Sequence, residues 1–443
     1  MTVTTAVVVL PRRMAIWAAR RALARNSLTG IELGCSLCAA VWFSAGKPAA
    51  ALAGGAALGG GYLARRVGGQ LTVGAFAGWL AVVCAWAGEL AVYAGLAAGV
   101  AGSATLAWKL ATGVAMLFAL RKVARLCRAA QAAEYPVPPP SDPPPSAQPG
   151  RDRSGTVAPG IARFSLSVLI GQLLAVPAWV RALVITGTAA YYGNRTALLV
   201  MLYCAAVALA WSLVAGPHRP RAVDRVTDLA AQPGGVAACR DDGPIARLAG
   251  ALVHGQLVPL PPAVAGLIAT VLLAALGLGS LDGWVLLTPV AAMLLAAPGS
   301  AHPHDGPADW LAPVIIQAGQ YVYLAALGFA IGVPGPVTFA LIGLTGLRQL
   351  DVAYQARHPV TPRGARLSLG WEGRMLVAGF AAMVGLGTVG YLALIGYLGW
   401  LLAGNGLTGW LLASRRIKTA PPRDAPPRNA PPRNGGALRA PAR

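Results

Sequence analysis

The sequence is short of charge, and above all short of acid. Charged residues make up 12% of the 443 residues, and only 15 are Asp or Glu against 36 Lys or Arg. Soluble domains carry about 25% charged residues, so this composition excludes an ordinary soluble domain. An apolar share of 56% also excludes an intrinsically disordered chain. A nucleic-acid-binding protein would place its basic residues in polar elements, whereas these lie between apolar runs, and we expect no nucleic-acid partner.

The N-terminus lacks the pattern of a cleavable signal, because no small-residue cleavage site follows a short apolar core. Residues 11–25 instead carry five Arg and no acid, with Met14, Ile16, Trp17 and Leu23 between them. This pattern predicts that residues 1–27 contain a basic amphipathic helix lying on an anionic cytoplasmic leaflet.

What the chain does have is a series of long apolar runs. A membrane span needs about 20 apolar residues. The runs predict an all-α, polytopic integral membrane protein with about twelve transmembrane helices in two six-helix halves. The first ten spans are 28–46, 49–64, 74–100, 104–120, 178–194, 195–215, 259–279, 281–298, 309–332 and 335–350. The run 375–413 is too long for one helix, and we divide it near Gly385–Gly390 into two.

Polar segments divide these spans into domains. A first membrane domain (28–215) contains a Pro-rich linker (134–160), and a polar linker (216–243) leads to a second membrane domain (244–413). A disordered basic Pro/Arg tail (414–443) follows. Nearly all Lys and Arg fall on one side of this topology, which predicts that both termini are cytoplasmic. The rich Arg, Ala, Gly and Pro content is typical of a GC-rich bacterium, so we expect a bacterial plasma membrane with membrane phospholipids as partners.

The first half resembles the CDP-alcohol phosphatidyltransferases over residues 11–215. The amphipathic segment RRMAIWAARRAL, then Asn26–Thr29, then six spans follow the order of that family. These membrane enzymes move a phosphoalcohol from CDP to an acceptor hydroxyl. Their motif, D-x2-D-G-x2-A-R then G-x3-D-x3-D, supplies four carboxylates for one or two divalent cations. The resemblance implies such a bundle and a possible homodimer through the third and fourth spans.

The four acids of that motif are missing here. Arg65–Thr72 resembles the first part of the motif, and Gly74–Ala85 resembles the second. The acids are replaced by Arg65, Gly68, Ala81 and Ala85. Divalent cations need oxygen ligands, so we expect no cofactor, and Mg²⁺ or Mn²⁺ only if transferase activity is retained. This pattern predicts a pseudoenzyme.

Glu32 and Glu89 are the only carboxylates within the predicted spans of the first half. Ionisable residues at membrane depth are candidates for function. Glu89 is four residues from Ala85, so it lies on the face of the missing acids. Two interpretations stay open: an active role, or a relic of a polar cleft in which Glu89 pairs with a helix-end Arg or a hydroxyl. Glu32, near the start of its span, is expected at the headgroup level.

The second half has a polar cluster of its own, in three predicted cytoplasmic loops. It resembles, over residues 241–413, an uncharacterised membrane domain found behind CDP-alcohol phosphatidyltransferase domains in GC-rich bacteria. The catalytic candidates are His302, His304, Asp305, Asp351 and Glu372. The metal candidates are His302, His304 and Asp309, and the alternative is a loop in which Asp309 caps the next helix. Candidate lipid-phosphate contacts are Arg348, Arg357 and Arg374, and the alternative is that they anchor cytoplasmic loops.

Three functions therefore remain open. The first is a lipid- or partner-binding pseudoenzyme in envelope phospholipid metabolism. The second is a lipid-phosphate transferase whose site lies in the cytoplasmic loops of the second half. The third is a transporter or flippase that uses Glu32 and Glu89 within the bundle.

Overall fold

The fold is helical throughout the part that can be described. The computed structural model describes residues 25–70, 75–102, 104–134, 177–214, 236–254, 256–277, 283–300, 302, 306–357 and 369–419. Within these residues there are thirteen α-helices and two short 3₁₀ helices, with no strand, which confirms the all-α class. The amphipathic segment before Arg25, the Pro-rich linker beyond Glu134 and the tail beyond Thr419 lie outside the described residues.

The helices fall into two consecutive groups. Those of the first half are α1 (Arg25–Ser44), α2 (Pro48–Gly68), α3 (Ala75–Ala98), α4 (Ala104–Glu134), α5 (Ala178–Tyr192) and α6 (Asn194–Val214). Those of the second half are α7 (Pro244–Leu252), α8 (Leu260–Gly277), α9 (Trp284–Ala296), α10 (Leu311–Ala330), α11 (Gly335–Arg357), α12 (Gly370–Met383) and α13 (Gly387–Thr419). The 3₁₀ helices are Val236–Cys239 and Ala297–Ser300.

Six of the described helices are long and apolar enough to cross a membrane. They are Asn26–Ser44, Phe76–Ala98, Asn194–Val214, Leu260–Gly277, Leu311–Ala330 and Gly387–Leu412. Large apolar side chains such as Val41, Leu272 and Trp400 lie exposed on these helices, as suits a surface covered by lipid tails. The other predicted spans coincide with helices outside this set of six.

The long apolar run of residues 375–413 breaks where glycine permits a left-handed turn. Gly385 has a φ of +75°, which costs a residue with a Cβ about 1–2 kcal/mol. The Leu386 amide donates to the Ala381 carbonyl at 2.8 Å, and the Gly385 amide donates to Ala382 at 3.1 Å. These two bonds satisfy the last carbonyls of α12 and end the helix at Met383. The predicted division near Gly385–Gly390 is therefore present.

Small residues bring α1 and α3 into close contact. At Gly95 a side chain would overlap the Ala40 carbonyl, and at Gly99 it would overlap the Phe43 carbonyl. The Asn194 amide at the start of α6 also donates to the Phe43 carbonyl, at 2.7 Å. Close backbone approach of this kind is how helices associate tightly where lipid gives no hydrophobic driving force. It fixes α3 against α1 and so sets the width of the cleft described below.

The two halves share one continuous core. Trp86 of α3 donates its indole N–H to the Gly343 carbonyl of α11, at 3.2 Å. Trp108 of α4 packs edge-on against Phe339 of α11, with ring centroids 5.6 Å apart. The buried apolar cluster runs through both groups of helices. Helix α3 therefore lies between a cleft in the first half and a polar network in the second.

Candidate functional site

A polar cleft lies between α1, α2, α3 and α5. The space between its walls, including the part that is open to the exterior, is about 570 Å³. Its polar walls are formed by Glu32, Ser36, Tyr62, Arg65, Glu89, Tyr93 and Arg181. Its apolar walls include Leu58, Val92 and Ile185. A cleft that is charged on one part of its wall and apolar on another matches an amphipathic ligand.

Glu89 is the centre of the charge in this cleft. Arg181 donates to both of its carboxylate oxygens, at 2.9 and 3.0 Å, and Lys122 Nζ lies 3.0 Å from Oε2. Lys122 also lies 4.2 Å from the Trp86 ring centroid, and Arg181 lies 4.9 Å from that of Phe118. Bidentate and cation–π contacts of this kind strengthen where water is excluded. Because Arg181 is at the start of α5, pairing of Glu89 with a helix-end Arg is the geometry observed.

Glu32 forms the second ion pair of the cleft. Arg65 Nε donates to Glu32 Oε1 at 2.6 Å. The Glu32 side chain is 7% exposed and therefore buried, and its position at the headgroup level stays a prediction. The Arg65 side chain is 38% exposed. The more accessible cation of the cleft is therefore at its outer edge.

The charges of the cleft do not cancel. The ion-paired residues of this region are three cations, Arg65, Lys122 and Arg181, and two carboxylates, Glu32 and Glu89, so the cations outnumber the carboxylates. Both carboxylates already accept from Arg, whereas a hard divalent cation needs several free oxygen ligands. Among the described residues no three His, Cys, Asp or Glu side chains form a group able to hold a metal. The residues present fit an anion and do not fit a divalent cation.

The second half contains a buried network that joins several of the predicted site residues. Arg374 Nη1 donates to Asp241 Oδ2 at 2.6 Å, and Arg348 Nη1 donates to Asp351 Oδ2 at the same distance. Arg348 Nη2 lies 4.0 Å from Asp241 Oδ1, which connects the two pairs. Gln320 of α10 accepts from Arg374 at 3.2 Å. The network attaches the segment before α7 to α10, α11 and α12.

Asp351 accepts hydrogen bonds from four side chains. Besides Arg348, the donors are Gln355 at 2.7 Å, Trp79 at 2.8 Å and Asn405 at 2.9 Å. The carboxylate is 1% exposed and joins α3, α11 and α13. A proton acceptor for catalysis needs a free lone pair near substrate, whereas the Asp351 carboxylate already accepts from four donors. These contacts give Asp351 a structural role, because they hold α3, α11 and α13 together.

Glu372 of α12 contacts the N-terminal end of α7. Its Oε1 accepts from the Ala246 amide at 3.1 Å, so the carboxylate satisfies one of the free N–H groups of that helix. Pro244 follows Gly243 at the first helical position, which explains why the helix begins there. Burial raises the pKa of the Glu372 carboxyl above its ordinary value, and the Ala246 amide acts in the opposite direction.

The remaining candidates of the second half are only partly within the described residues. His302 is half-buried, and Asp309 is buried and accepts from the Gly306 amide at 2.9 Å, which holds the preceding loop. His304, Asp305 and the side chain of Arg357 lie outside the described residues. A metal site at His302 and His304 therefore stays a prediction.

Several residues of the site were not identified from the sequence. In the sequence, Lys122 and Arg181 contribute only to the prediction of membrane orientation, and Asp241 lies in the polar linker 216–243. Trp79 gave no polar signal, since a Trp in an apolar run is usually read as core or lipid-facing. Glu89 itself was identified, and its face on α3 follows from its spacing, but neither Lys122 nor Arg181 was named as its partner.

Comparison with known proteins gives one result. Residues 230–409 match the model of a family of unknown function (DUF5941). No curated protein matches the chain. No solved structure matches it either. The matched segment covers α7 to α12, most of α13 and the part of the linker that carries Asp241, so the buried network lies within it.

Proposed function

We propose that this chain is a polytopic protein of the bacterial plasma membrane that binds an anionic phospholipid headgroup in the α1–α2–α3–α5 cleft. In this proposal it spans the membrane about twelve times, with both termini cytoplasmic. It serves envelope phospholipid metabolism as a pseudoenzyme, not as a CDP-dependent transferase. The observation that carries the proposal is the cluster of Arg65, Lys122 and Arg181 against only two carboxylates.

Phosphate is the ligand chemistry that this cluster favours. Arg side chains bind phosphate oxygens with paired N–H donors, and a cleft in which cations outnumber carboxylates attracts an anion. The apolar walls at Leu58, Val92 and Ile185 favour a ligand that also carries acyl chains. A lipid can therefore contact both the charged and the apolar walls of the cleft, whereas free phosphate can contact only the charged wall.

The same considerations argue against a transferase in the second half. Asp351 is held by four donors, Asp241 by Arg374, and Glu372 by a helix N-terminus. None of these three carboxylates lines the cleft. The homodimer stays a prediction, and the faces of α3 and α4 that contact α11 are not available to it.

The proposal is tested with the purified full-length protein in lipid nanodiscs. Native mass spectrometry measures binding of phosphatidylglycerol, and a parallel assay measures CMP release from CDP-diacylglycerol with Mg²⁺ or Mn²⁺. We expect binding without CMP release. Arg65→Gln should weaken binding by about tenfold, because a charged hydrogen bond contributes about 1.5–3 kcal/mol. The exposed Arg195→Gln, at the start of α6, is the matched control and should leave binding unchanged.

Three outcomes would overturn the proposal. The first is clear CMP release, and the second is lipid binding that Arg65→Gln and Arg195→Gln affect equally. The third is displacement of the lipid by inorganic phosphate or glycerol phosphate at equal concentration. That result would show that the acyl chains contribute nothing to binding.

A further inference from the structure

We infer that α7 is an interfacial helix, whose outer face lies among the lipid headgroups beside the first turn of α8. The helix is outside the α1–α2–α3–α5 cleft, so its contact with the membrane does not depend on the lipid site proposed there. Three features of the structure support this role: the distribution of apolar side chains around α7, its fixed place in the bundle, and the continuity of its apolar face with that of α8.

The large apolar side chains of α7 point away from the protein. Its buried residues are small, Ala246 and Gly250. Ile245, Leu248 and Leu252 are 42%, 61% and 70% exposed, and their spacing of three and four residues places them on one face. A surface helix in water carries polar residues on its outer face. An exposed apolar face of this kind marks a surface that binds a membrane or another protein.

The first turn of α7 is fixed at one end of the helical bundle. The Trp371 amide donates to the Asp241 carbonyl at 3.1 Å, just before α7, and Glu372 accepts from the Ala246 amide at 3.1 Å. The Ser300 hydroxyl donates to the Ala246 carbonyl at 2.7 Å. Because Ser300 belongs to the 3₁₀ helix that follows α9, α7 lies where α9 ends and α12 begins.

The same end of the bundle is where α8 begins. A side chain on Gly299, in that 3₁₀ helix, would start 3.0 Å from the Cα of Pro259, directly before α8. Helix α8 is one of the six helices able to cross a membrane, and its 18 residues are close to the length that the hydrocarbon core requires. The first turn of a helix of that length lies near the bilayer surface when the helix spans the membrane. This geometry places α7 at the level of the headgroups.

The apolar exposure of α7 continues into α8. Leu257 and Val258 are exposed in the connecting loop, and Val264 and Ile268 are exposed on α8 itself. The outer face of α7 is therefore continuous with a surface that suits lipid tails, which favours the bilayer over a soluble protein as the partner. Arg247, which is also exposed on α7, adds attraction to anionic headgroups.

Photo-crosslinking tests what covers this face. The photoreactive residue p-benzoylphenylalanine replaces Leu248 in the full-length protein, in nanodiscs of phosphatidylglycerol and phosphatidylethanolamine. Leu272, exposed on α8, is the lipid-facing reference, and Arg247, turned about 100° around α7, is the matched control. After irradiation, intact-protein mass spectrometry measures lipid adducts, and peptide mapping locates crosslinks to protein. Adducts at 248 should approach those at 272 and exceed those at 247 about tenfold, since a large apolar side chain favours lipid over water by about that factor.

Hydrogen exchange gives a second measurement without a photoreactive residue. In the same nanodiscs, Leu252→Ala should accelerate amide exchange of residues 244–252 about tenfold, because it removes apolar area from lipid and keeps a good helix former. Exchange of α10 in the same sample should remain as in wild type, which separates local release of α7 from loss of the fold.

Four outcomes would overturn the inference. Two are lipid adducts at 248 no more abundant than at 247, and exchange of α7 that Leu252→Ala leaves unchanged. The others are crosslinks from 248 mainly to another segment of this chain, or mainly to a second copy of it. Either of these would identify protein as the covering of α7.

Discussion

Replacing Arg374 by Met should destabilise the protein severely. Arg374 is 1% exposed, and its guanidinium donates to Asp241 at 2.6 Å and to Gln320 at 3.2 Å. Met retains much of the apolar stem, so the change removes mainly the charge and its hydrogen bonds. The buried Asp241 carboxylate then keeps Arg348, at 4.0 Å, as its ion-pair partner. Removing one member of a buried ion pair costs about 3–5 kcal/mol, and we expect a loss of this size.

The cause is isolated by a second substitution and a control. Unfolding of the full-length protein in mixed micelles with increasing SDS, followed by tryptophan fluorescence, gives the stability of each variant. Asp241→Asn combined with Arg374→Met should recover part of the loss, because replacing both charges of a buried pair is far less costly than removing one. The exposed Arg195→Met should stay within about 0.5 kcal/mol of wild type. If Arg374→Met is as stable as that control, or the double variant is the least stable, the network does not hold the fold as argued.

Three further changes probe the helix contacts. Trp79→Phe keeps the ring but removes the donor to Asp351, and should cost about 1.5–3 kcal/mol in the SDS assay, against a smaller effect for the exposed Trp410→Phe. Burial raises the pKa of Glu372, so the stability linked to its protonated form is present below the unfolded value of about 4.3 and is lost as the pH rises through the folded value. Glu372→Gln should therefore be more stable than wild type at pH 8, and a gap that does not close towards pH 4 would contradict this. Gly385→Ala should cost about 1–2 kcal/mol because of its φ of +75°, and an unchanged stability would show that the turn adapts.

Part of this fold could be predicted from the sequence, because it depends on local sequence patterns. Apolar runs predict helices, and the glycines after residue 384 predict the break between α12 and α13. The number of membrane crossings was less accessible, since length and composition single out only six of the described helices. Contacts between distant segments were not accessible at all: Asp241 and Arg374 are separated by 133 residues and meet only because α7 packs beside α12.

Only part of the cleft could be predicted from the sequence. The missing acids at Ala81 and Ala85 could be read directly, because their absence is a property of the sequence. The cations of the cleft could not be identified in this way, since Lys122 and Arg181 lie on other helices and carry no motif. Arg65 was noted as a cation in the place of an acid, but its pairing with Glu32 depends on how α1 and α2 cross. Only tertiary packing converts these separate charges into one site.

The scarcity of acid has a structural consequence that bears on function. Seven acidic side chains lie within the part of the chain that the structure describes. Five of them pair with Arg: Glu32, Glu89, Asp241, Asp242 and Asp351. The other two, Asp309 and Glu372, accept from backbone amides. Each of these carboxylates therefore has a contact that helps to hold helices or loops, although Glu372 Oε2 is buried without a hydrogen-bond partner of its own. Among the ion-paired side chains of the cleft, by contrast, there are three cations and only two carboxylates. The proposal that the cleft binds an anion rests on this excess of cations.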